Sequence, residues 1–114
     1  MITLYGIRNC DTVKKARKWL DEHGVNYRFH DFRADGLEAK KLDAWISAAG
    51  WETLLNRRGT TWRRLPEDVR EGIDGKRAAA LMLEQPTLIK RPVIEHGTQV
   101  LVGFDSDTCQ HNLM

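Results

Sequence analysis

Hydrophobic residues recur along this chain with two different periods, and each period predicts a different kind of element. Residues 2–7 (ITLYGI) are rich in β-branched and aromatic side chains, which predicts a buried first strand. Four apolar positions then follow at helical spacing: Val13, Ala16, Trp19 and Leu20. We therefore predict a helix from about Thr12 to His23, capped by Asp11 or Thr12, with Gly24 in the left-handed position just past its end.

Alternation with a period of two returns after this helix and predicts a second strand. In the segment 25–32 (VNYRFHDF), Val25, Tyr27 and Phe29 alternate with polar residues. Strand, helix and strand in this order predict a parallel pair joined by a right-handed crossover.

The middle of the chain has helical periodicity. One apolar face predicts a helix that ends at Gly50, and its members are Leu42, Trp45, Ile46 and Ala49. A short turn at 52–55, a helix opened by Pro66 and the segment 75–86 (GKRAAALMLEQP) complete this helical region.

The last third of the chain is again strand-like. Residues 92–96 and 99–104 are short apolar runs separated by Gly97 and Thr98, which predicts a hairpin. The segment 105–114 (DSDTCQHNLM) begins with helix-capping residues and predicts a short final helix.

The order β-α-β, helices, β-β-α predicts an α/β fold with one four-stranded mixed sheet. This is a thioredoxin-like arrangement in which a helical insertion, at about 37–86, separates the two halves. A length of 114 residues predicts a single domain over residues 1–114.

Composition narrows the function classes. No run approaches the roughly 18 apolar residues of a membrane span, so we expect a cytoplasmic protein, with a monomer as the default. The formal net charge of +2 is too small to indicate nucleic-acid binding by itself. The two cysteines lie almost the whole chain apart and neither they nor the histidines have metal-ligand spacing, so we expect no disulfide framework and no metal site.

Cys10 is the main candidate for chemistry, because it stands where the first strand gives way to the first helix. A thiol there faces the free N–H groups of the first helical turn and the positive end of the helix dipole. Such cysteines have pKa values of roughly 3.5–7.5 rather than about 8.5. Arg8 adds a positive charge and Asp11 opposes it. A cysteine near a strand end is also commonly a small buried hydrophobe, so position alone leaves both interpretations open.

Three segments together resemble the arsenate reductase-like family, which also includes the Spx-type regulators. They are residues 2–20 (ITLYGIRNCDTVKKARKWL), 54–65 (LLNRRGTTWRRL) and 85–104 (QPTLIKRPVIEHGTQVLVGF). They stand in the family's order and span nearly the full chain, and the match is to a subgroup of small bacterial proteins called YffB-like. The resemblance implies the same thioredoxin-like fold.

The resemblance also implies a reaction. In arsenate reductases of this family the cysteine attacks the oxyanion, and glutathione with glutaredoxin resolves the adduct. Cys10 matches that nucleophile and Arg91 matches an arginine that binds the oxyanion directly before a proline. The planar guanidinium of arginine suits an oxyanion or a glutathione carboxylate. Pro92 matches the proline that follows a cis peptide bond beside the active cysteine in thioredoxin-like proteins.

The backbone amides around Cys10 are a second expected anion contact. At the start of a helix, the N–H groups of Asn9, Asp11 and Thr12 are suited to cradle negative charge. We therefore expect these residues to contribute to substrate or glutathione binding.

The chain departs from the family's patterns at several positions. Gly6 stands where the arsenate reductases carry a histidine, four residues before the cysteine. Their second oxyanion arginine falls near Asn56, with Arg57 and Arg58 directly after it, and their third has no counterpart in residues 101–104 (LVGF). These differences speak against efficient arsenate reduction. Val13 replaces the second cysteine of the Spx-type Cys-x-x-Cys switch, so Cys10 must be resolved by an external thiol or by Cys109.

An arginine-rich segment in the middle of the chain has two interpretations. It contains Arg57, Arg58, Arg63 and Arg64 together with Trp62. We expect Arg57 or Arg58 to hold a carboxylate of glutathione or an oxyanion, and Trp62 to be part of the core. A nucleic-acid surface is disfavoured because no matching motif accompanies the arginines.

Two hypotheses follow from these residues. The first is a monothiol oxidoreductase that uses Cys10 as nucleophile and glutathione as co-substrate, with no bound cofactor, and that has an oxidised or oxyanion substrate and glutaredoxin as a further partner. The second is a non-enzymatic regulator that binds RNA polymerase in the manner of Spx.

Overall fold

The computed structural model describes residues 2–113. The first half of the chain forms β1 (Ile2–Gly6), α1 (Asp11–Glu22), β2 (Tyr27–Asp31), α2 (Phe32–Asp35), α3 (Ala39–Ala49) and α4 (Trp51–Leu54). The second half forms α5 (Thr60–Arg63), α6 (Glu67–Glu71), α7 (Gly75–Glu84), a 3₁₀ turn (Pro86–Leu88), β3 (Val93–His96), β4 (Gln99–Val102) and α8 (Ser106–Leu113).

The four strands form one mixed sheet in the order β2-β1-β3-β4. β1 and β2 are parallel, with Leu4 opposite Phe29, whereas β3 is antiparallel to both β1 and β4. Tyr5 lies opposite Val93 across the central pair. This topology confirms the predicted thioredoxin-like α/β fold with its β-α-β and β-β-α halves.

The chain divides into two compact units. The first comprises the described residues of Met1–Gly36 and Arg91–Met114, and the second is Leu37–Lys90. The first unit holds the sheet, α1, α2 and α8, and the second holds the helices between β2 and β3. The expectation of a single domain stays a prediction.

Helices α1 and α8 supply the core of the first unit together with one face of the sheet. Its buried members are Ile2, Leu4, Val13, Ala16, Leu20, Ile94, Cys109 and Leu113. Leu4, Val13, Ala16 and Ile94 are fully buried, as the helical and alternating patterns predict.

Gly6 allows α1 to pack closely on the end of β1. A Cβ atom built on Gly6 would lie only 2.6 Å from Cγ2 of Val13, well inside van der Waals contact. Any side chain at position 6 would therefore have to displace Val13, which is itself fully buried. This contact fixes the first turn of α1, the turn that follows Cys10.

The second unit has its own helical core. α3, α4 and α7 pack on one another, and a short antiparallel bridge joins Leu55 to Ile89. Trp45, Met82 and Leu88 are fully buried in this unit. Gly50, which ends α3, has a φ of +89°, so it occupies the left-handed position that favours glycine.

Several element predictions need correction. α1 begins one residue early, at Asp11, so the capping position belongs to Cys10 rather than to Asp11 or Thr12. The expected turn at 52–55 is largely the helix α4, and the four-residue helices α2 and α5 were not predicted. Trp62 is only half-buried and lies against Arg57, so the prediction that it is a core residue is wrong.

No helix within residues 2–113 combines the length and the apolar character needed to cross a membrane.

The Gly6–Val13 contact predicts how one methyl group added at position 6 changes the stability of the protein. Gly6→Ala should lower the free energy of unfolding by about 1–3 kcal/mol, the usual range for overpacking a core. Removing the Val13 side-chain atoms should relieve the clash, so Gly6→Ala combined with Val13→Ala should cost less than the sum of the two single changes. Urea unfolding of all four proteins measures this coupling, and strict additivity would contradict the contact.

Candidate functional site

Cys10 occupies the N-cap position of α1. Its own N–H donates to the Ile7 carbonyl at 3.1 Å, which closes a turn after β1, and its carbonyl accepts the Lys14 N–H at 3.0 Å, which starts the helix. The Cys10 backbone is extended, with φ −87° and ψ 126°. A side chain in this position points towards the unsatisfied N–H groups of the first turn.

The surroundings of the Cys10 thiol lower its pKa. Partial burial acts in the opposite direction, because it disfavours the charged thiolate, but hydrogen bonds and charge outweigh it. The N–H of Val13, the side chain of Arg91 and the N–H of Thr12 all interact with the sulfur, and the Arg91 charge adds to its hydrogen bond. Cys10 is therefore an activated thiol with a half-exposed side chain.

Arg91 reaches the site because of the strand register. Tyr5 lies opposite Val93, and continuing this antiparallel register brings Arg91 beside the loop that leaves β1 for Cys10. The Arg91–Pro92 peptide bond is cis, as the resemblance predicted. Pro92 is fully buried at the start of β3, and Arg91 is half-buried.

The position of Arg8 in the sequence suggested that its charge acts on Cys10, but in the structure it acts on Asp31. Its guanidinium carbon lies 5.9 Å from the centre of the Phe29 ring, and its charge lowers the pKa of Asp31. Among the groups that change the pKa of Cys10, the positive charge comes from Arg91.

Asp31 is a buried carboxylate that the sequence analysis did not single out. It is 7% exposed, its Oδ1 accepts the Arg33 N–H at 2.8 Å, and its Oδ2 lies 3.4 Å from the N–H of Arg8 in the loop before Cys10. Partial desolvation opposes ionisation, but the N–H groups of Arg33, Arg8 and Ala34 hold the Asp31 pKa below its usual range. The available signal was an aspartate at the end of a strand, since aspartate is a common helix-capping residue and Asp31 caps α2.

The remaining predicted residues of the first unit flank the thiol in the chain. Asn9, Asp11 and Thr12 are all exposed, and Thr12 contributes its N–H to the Cys10 sulfur. Their role in binding a substrate or glutathione stays a prediction.

The two arginines predicted to bind an anion lie in the second unit. Arg57 stacks near two tryptophan rings, with its guanidinium carbon 5.8 Å from the centre of Trp51 and 5.6 Å from that of Trp62. The N–H of Arg58 donates to Oδ1 of Asn56 at 3.1 Å, which shapes the loop. Both arginines are exposed, and their role as glutathione ligands stays a prediction.

The second cysteine has the opposite character from Cys10. Cys109 lies in α8, is 2% exposed and is a member of the core of the first unit. Burial raises its pKa, and the nearby Asp105 charge adds to this effect while the Asp105 backbone contact opposes it. Cys109 is thus a protonated core thiol at neutral pH.

A metal is not indicated by the arrangement of donor side chains. Within residues 2–113, no three His, Cys, Asp or Glu side chains are grouped so that they could hold an ion.

Comparison with known proteins places this site in a family. The family model described as "ArsC family" matches residues 5–112. The chain belongs to the ArsC family. Cys10, the Arg91–Pro92 bond and strands β2, β3 and β4 all lie inside the matched range.

Three proteins similar to this chain differ in their sequence identity to it. A solved structure of a YffB protein is 50% identical, with each chain fully covered and a TM-score of 0.95. An arsenate reductase (ArsC) related protein from Brucella melitensis is 50% identical over 98% of this chain and 93% of its own, with a TM-score of 0.81. The global transcriptional regulator Spx of Streptococcus pneumoniae is 29% identical over 94% of this chain and 81% of its own length.

The environment of Cys10 predicts its reactivity towards an alkylating reagent. The lowered pKa means that the thiolate is present at a pH where a free cysteine is still protonated. The rate of iodoacetamide alkylation should therefore rise with a midpoint clearly below about 8.5. Arg91→Gln should move this midpoint up by about one pH unit, because it removes a charge-assisted hydrogen bond.

Arg8→Gln is the matched control for this experiment. It removes the same charge near Cys10 in the chain and should leave the alkylation midpoint nearly unchanged. Mass spectrometry assigns the label to Cys10, and a wild-type midpoint above pH 8 would contradict an activated thiol.

Proposed function

We propose that this protein is a monothiol oxidoreductase that uses Cys10 as nucleophile and glutathione as co-substrate. The observation that carries the proposal is the set of groups around the Cys10 sulfur: two backbone N–H groups at a helix start and the Arg91 guanidinium. Membership of the ArsC family supports a thiol-based redox reaction in general.

The proposed reaction has two thiol–disulfide exchanges. The Cys10 thiolate attacks the glutathione sulfur of a mixed disulfide, which forms a Cys10–glutathione disulfide and releases the other thiol as a thiolate. A second glutathione thiolate then attacks the glutathione sulfur of that adduct, which releases the Cys10 thiolate and oxidised glutathione. The substrate disulfide is reduced by two electrons, and its own glutathionyl group leaves together with one free glutathione as oxidised glutathione.

Each part of the site has a role in this scheme. The N–H groups of Thr12 and Val13 and the charge of Arg91 stabilise Cys10 as the leaving thiolate in the second step, where a low pKa favours release. The Arg91 side chain is also suited to a carboxylate of glutathione or to an oxyanion. Asn9, Asp11, Arg57 and Arg58 are the further proposed contacts for these anions.

An external thiol fits the structure better than an internal one. Cys109 is buried in the core, and its raised pKa keeps it protonated, so it is a poor nucleophile. Val13 fills the position where a Cys-x-x-Cys motif would have its second thiol, and its side chain is fully buried against Gly6. Glutathione, with glutaredoxin as a further protein partner, therefore supplies the second thiol in this proposal.

The two cysteines provide the test and its control. With glutathione as the only reductant and the mixed disulfide of glutathione and 2-mercaptoethanol as substrate, the wild-type protein should form oxidised glutathione catalytically. Cys10→Ser should reduce the rate to that of the uncatalysed reaction, whereas Cys109→Ala should retain activity. Arsenate and dehydroascorbate in place of the mixed disulfide test the alternative substrate classes.

Two results would contradict the proposal. One is a Cys10→Ser protein with full activity. The other is loss of activity in a Cys109→Ala protein that retains its native circular dichroism spectrum, because this would assign the second thiol to Cys109.

A second candidate function is favoured by one observation. The match to Spx covers 94% of this chain at 29% identity, so a regulator that binds RNA polymerase through the same fold is the alternative. The test is co-purification of purified polymerase with the tagged protein. We expect no stable complex, and a complex that forms equally well with wild type and Cys10→Ser would favour the regulator over the oxidoreductase.

A further inference from the structure

Three cations lie on the face of α1 that continues from Cys10. A helix turns by about 100° per residue, so positions 10, 14, 17, 18 and 21 fall within one stripe about 100° wide. This stripe holds Lys14, Arg17 and Lys18, which we call the basic stripe. The buried residues Val13, Ala16 and Leu20 lie on the neighbouring face, which packs on the sheet.

The basic stripe is accessible and only partly neutralised. Lys14 and Lys18 are exposed, and together with Arg17 they line an open cavity of about 330 Å³, whose far end is formed by Asp21 and Glu22. Nζ of Lys18 lies 3.8 Å from Oε1 of Glu22, so an acidic neighbour offsets part of its charge. Lys14, the cation next to Cys10, has no ion-pair partner within residues 2–113.

Arg17 extends the positive charge to the edge of the sheet. Its Nε donates to the Tyr27 hydroxyl at 3.1 Å, and its guanidinium carbon lies 4.3 Å from the centre of the Phe29 ring. Both partners belong to β2, which is an edge strand, and they line a second cavity of about 310 Å³ with Arg17. Arg17 is thereby held in place between helix and strand.

The length of the basic stripe decides what it can bind. The eight steps along the helix from Cys10 to Lys18 span about 12 Å at 1.5 Å per residue. An extended peptide covers that distance with three to four residues at about 3.3 Å each. A chain whose cysteine meets Cys10 would therefore bring the residues two to four positions away onto Lys14, Arg17 and Lys18, and charge complementarity requires these residues to be acidic.

We propose that the basic stripe docks an acidic protein segment, so that Cys10 exchanges preferentially with protein disulfides that have Asp or Glu two to four residues from the reacting cysteine. The inference rests on the proposed function of Cys10 and names the partner of that same site. Here the Cys10 thiolate attacks the protein sulfur and releases the other sulfur of the protein disulfide as a thiolate, and a glutathione thiolate then attacks the protein sulfur of the Cys10–protein disulfide and releases the Cys10 thiolate. The cations steer the approach of the segment, and Asp21 and Glu22 repel acidic groups beyond the end of the stripe.

A model exchange reaction tests the charge preference. The acidic peptide has a central cysteine with Glu two and four residues away on both sides, and the neutral peptide has Gln in these places. In each peptide the cysteine is activated as a disulfide with 2-thiopyridine. The Cys10 thiolate attacks the peptide sulfur, the Cys10–peptide disulfide forms, and pyridine-2-thione is released and followed by its absorbance.

The neighbouring lysine supplies a matched control. Lys14→Glu reverses a charge in the basic stripe, whereas Lys15→Glu makes the same change one residue along, where the side chain is exposed but turned away by about 100°. The measured quantity is the ratio of the rates with acidic and neutral peptide, which cancels any change in the Cys10 pKa.

We expect wild type to prefer the acidic peptide and Lys14→Glu to lower the ratio by about 3- to 10-fold in 0.15 M salt, with a smaller change for Lys15→Glu. In 1 M salt, where the Debye length is about 3 Å, the preference should disappear. Equal rates for the two peptides with wild type, or equal effects of the two variants, would overturn the proposal.

The outcomes also separate this proposal from the proposed function. A thiol that reacts with the neutral peptide but shows no charge preference overturns the docking surface and leaves the oxidoreductase intact. A thiol that reacts with neither peptide contradicts both. Glutathione activated with 2-thiopyridine is the third reagent, and an equal loss of rate with it in Lys14→Glu would assign the stripe to the small thiol and overturn the protein partner.

Discussion

The packing of Val13 directly on Gly6 determines how α1 leaves the sheet. Because a Cβ atom at position 6 would lie 2.6 Å from Cγ2 of Val13, the helix can approach the strand this closely only with glycine there. The close approach sets the position of the first helical turn, and with it the N–H groups of Thr12 and Val13 that interact with the Cys10 sulfur. The reactivity of Cys10 thus depends on an apolar contact on the other side of the same turn.

The two residues of this contact are also positions at which the chain differs from the families that it resembles. Gly6 stands where arsenate reductases have a histidine, and Val13 stands where the Spx-type switch has its second cysteine. In this chain the two residues fill one space, since Val13 is fully buried and leaves no room for a side chain at position 6. A histidine at position 6 would therefore have to alter the packing at the site as well as the chemistry.

The spacing of hydrophobic residues was sufficient to predict the longer helices and the strands, because each of them buries one regular face. The four-residue helices α2 and α5 are too short to show a helical period, which explains why they were missed. Local sequence suggested Arg8 as the cation that acts on Cys10, yet Arg8 lies against Phe29 and Asp31. The effective cation is Arg91, which is distant in sequence and comes close only through the β1–β3 register. Only the family resemblance indicated it beforehand, together with the cis bond before Pro92.

The two cysteines differ in reactivity because the backbone N–H groups at the start of a helix have no helical acceptor, whereas those in its interior do. Cys10 precedes the first turn of α1, where N–H groups have no helical acceptor and can stabilise a thiolate. Cys109 lies within α8, where its N–H is already bonded to the Asp105 carbonyl and its side chain faces the core. Activation of a single thiol therefore requires no special residue next to it in the chain. It requires a helix start and a cation that the neighbouring strand brings to the thiol.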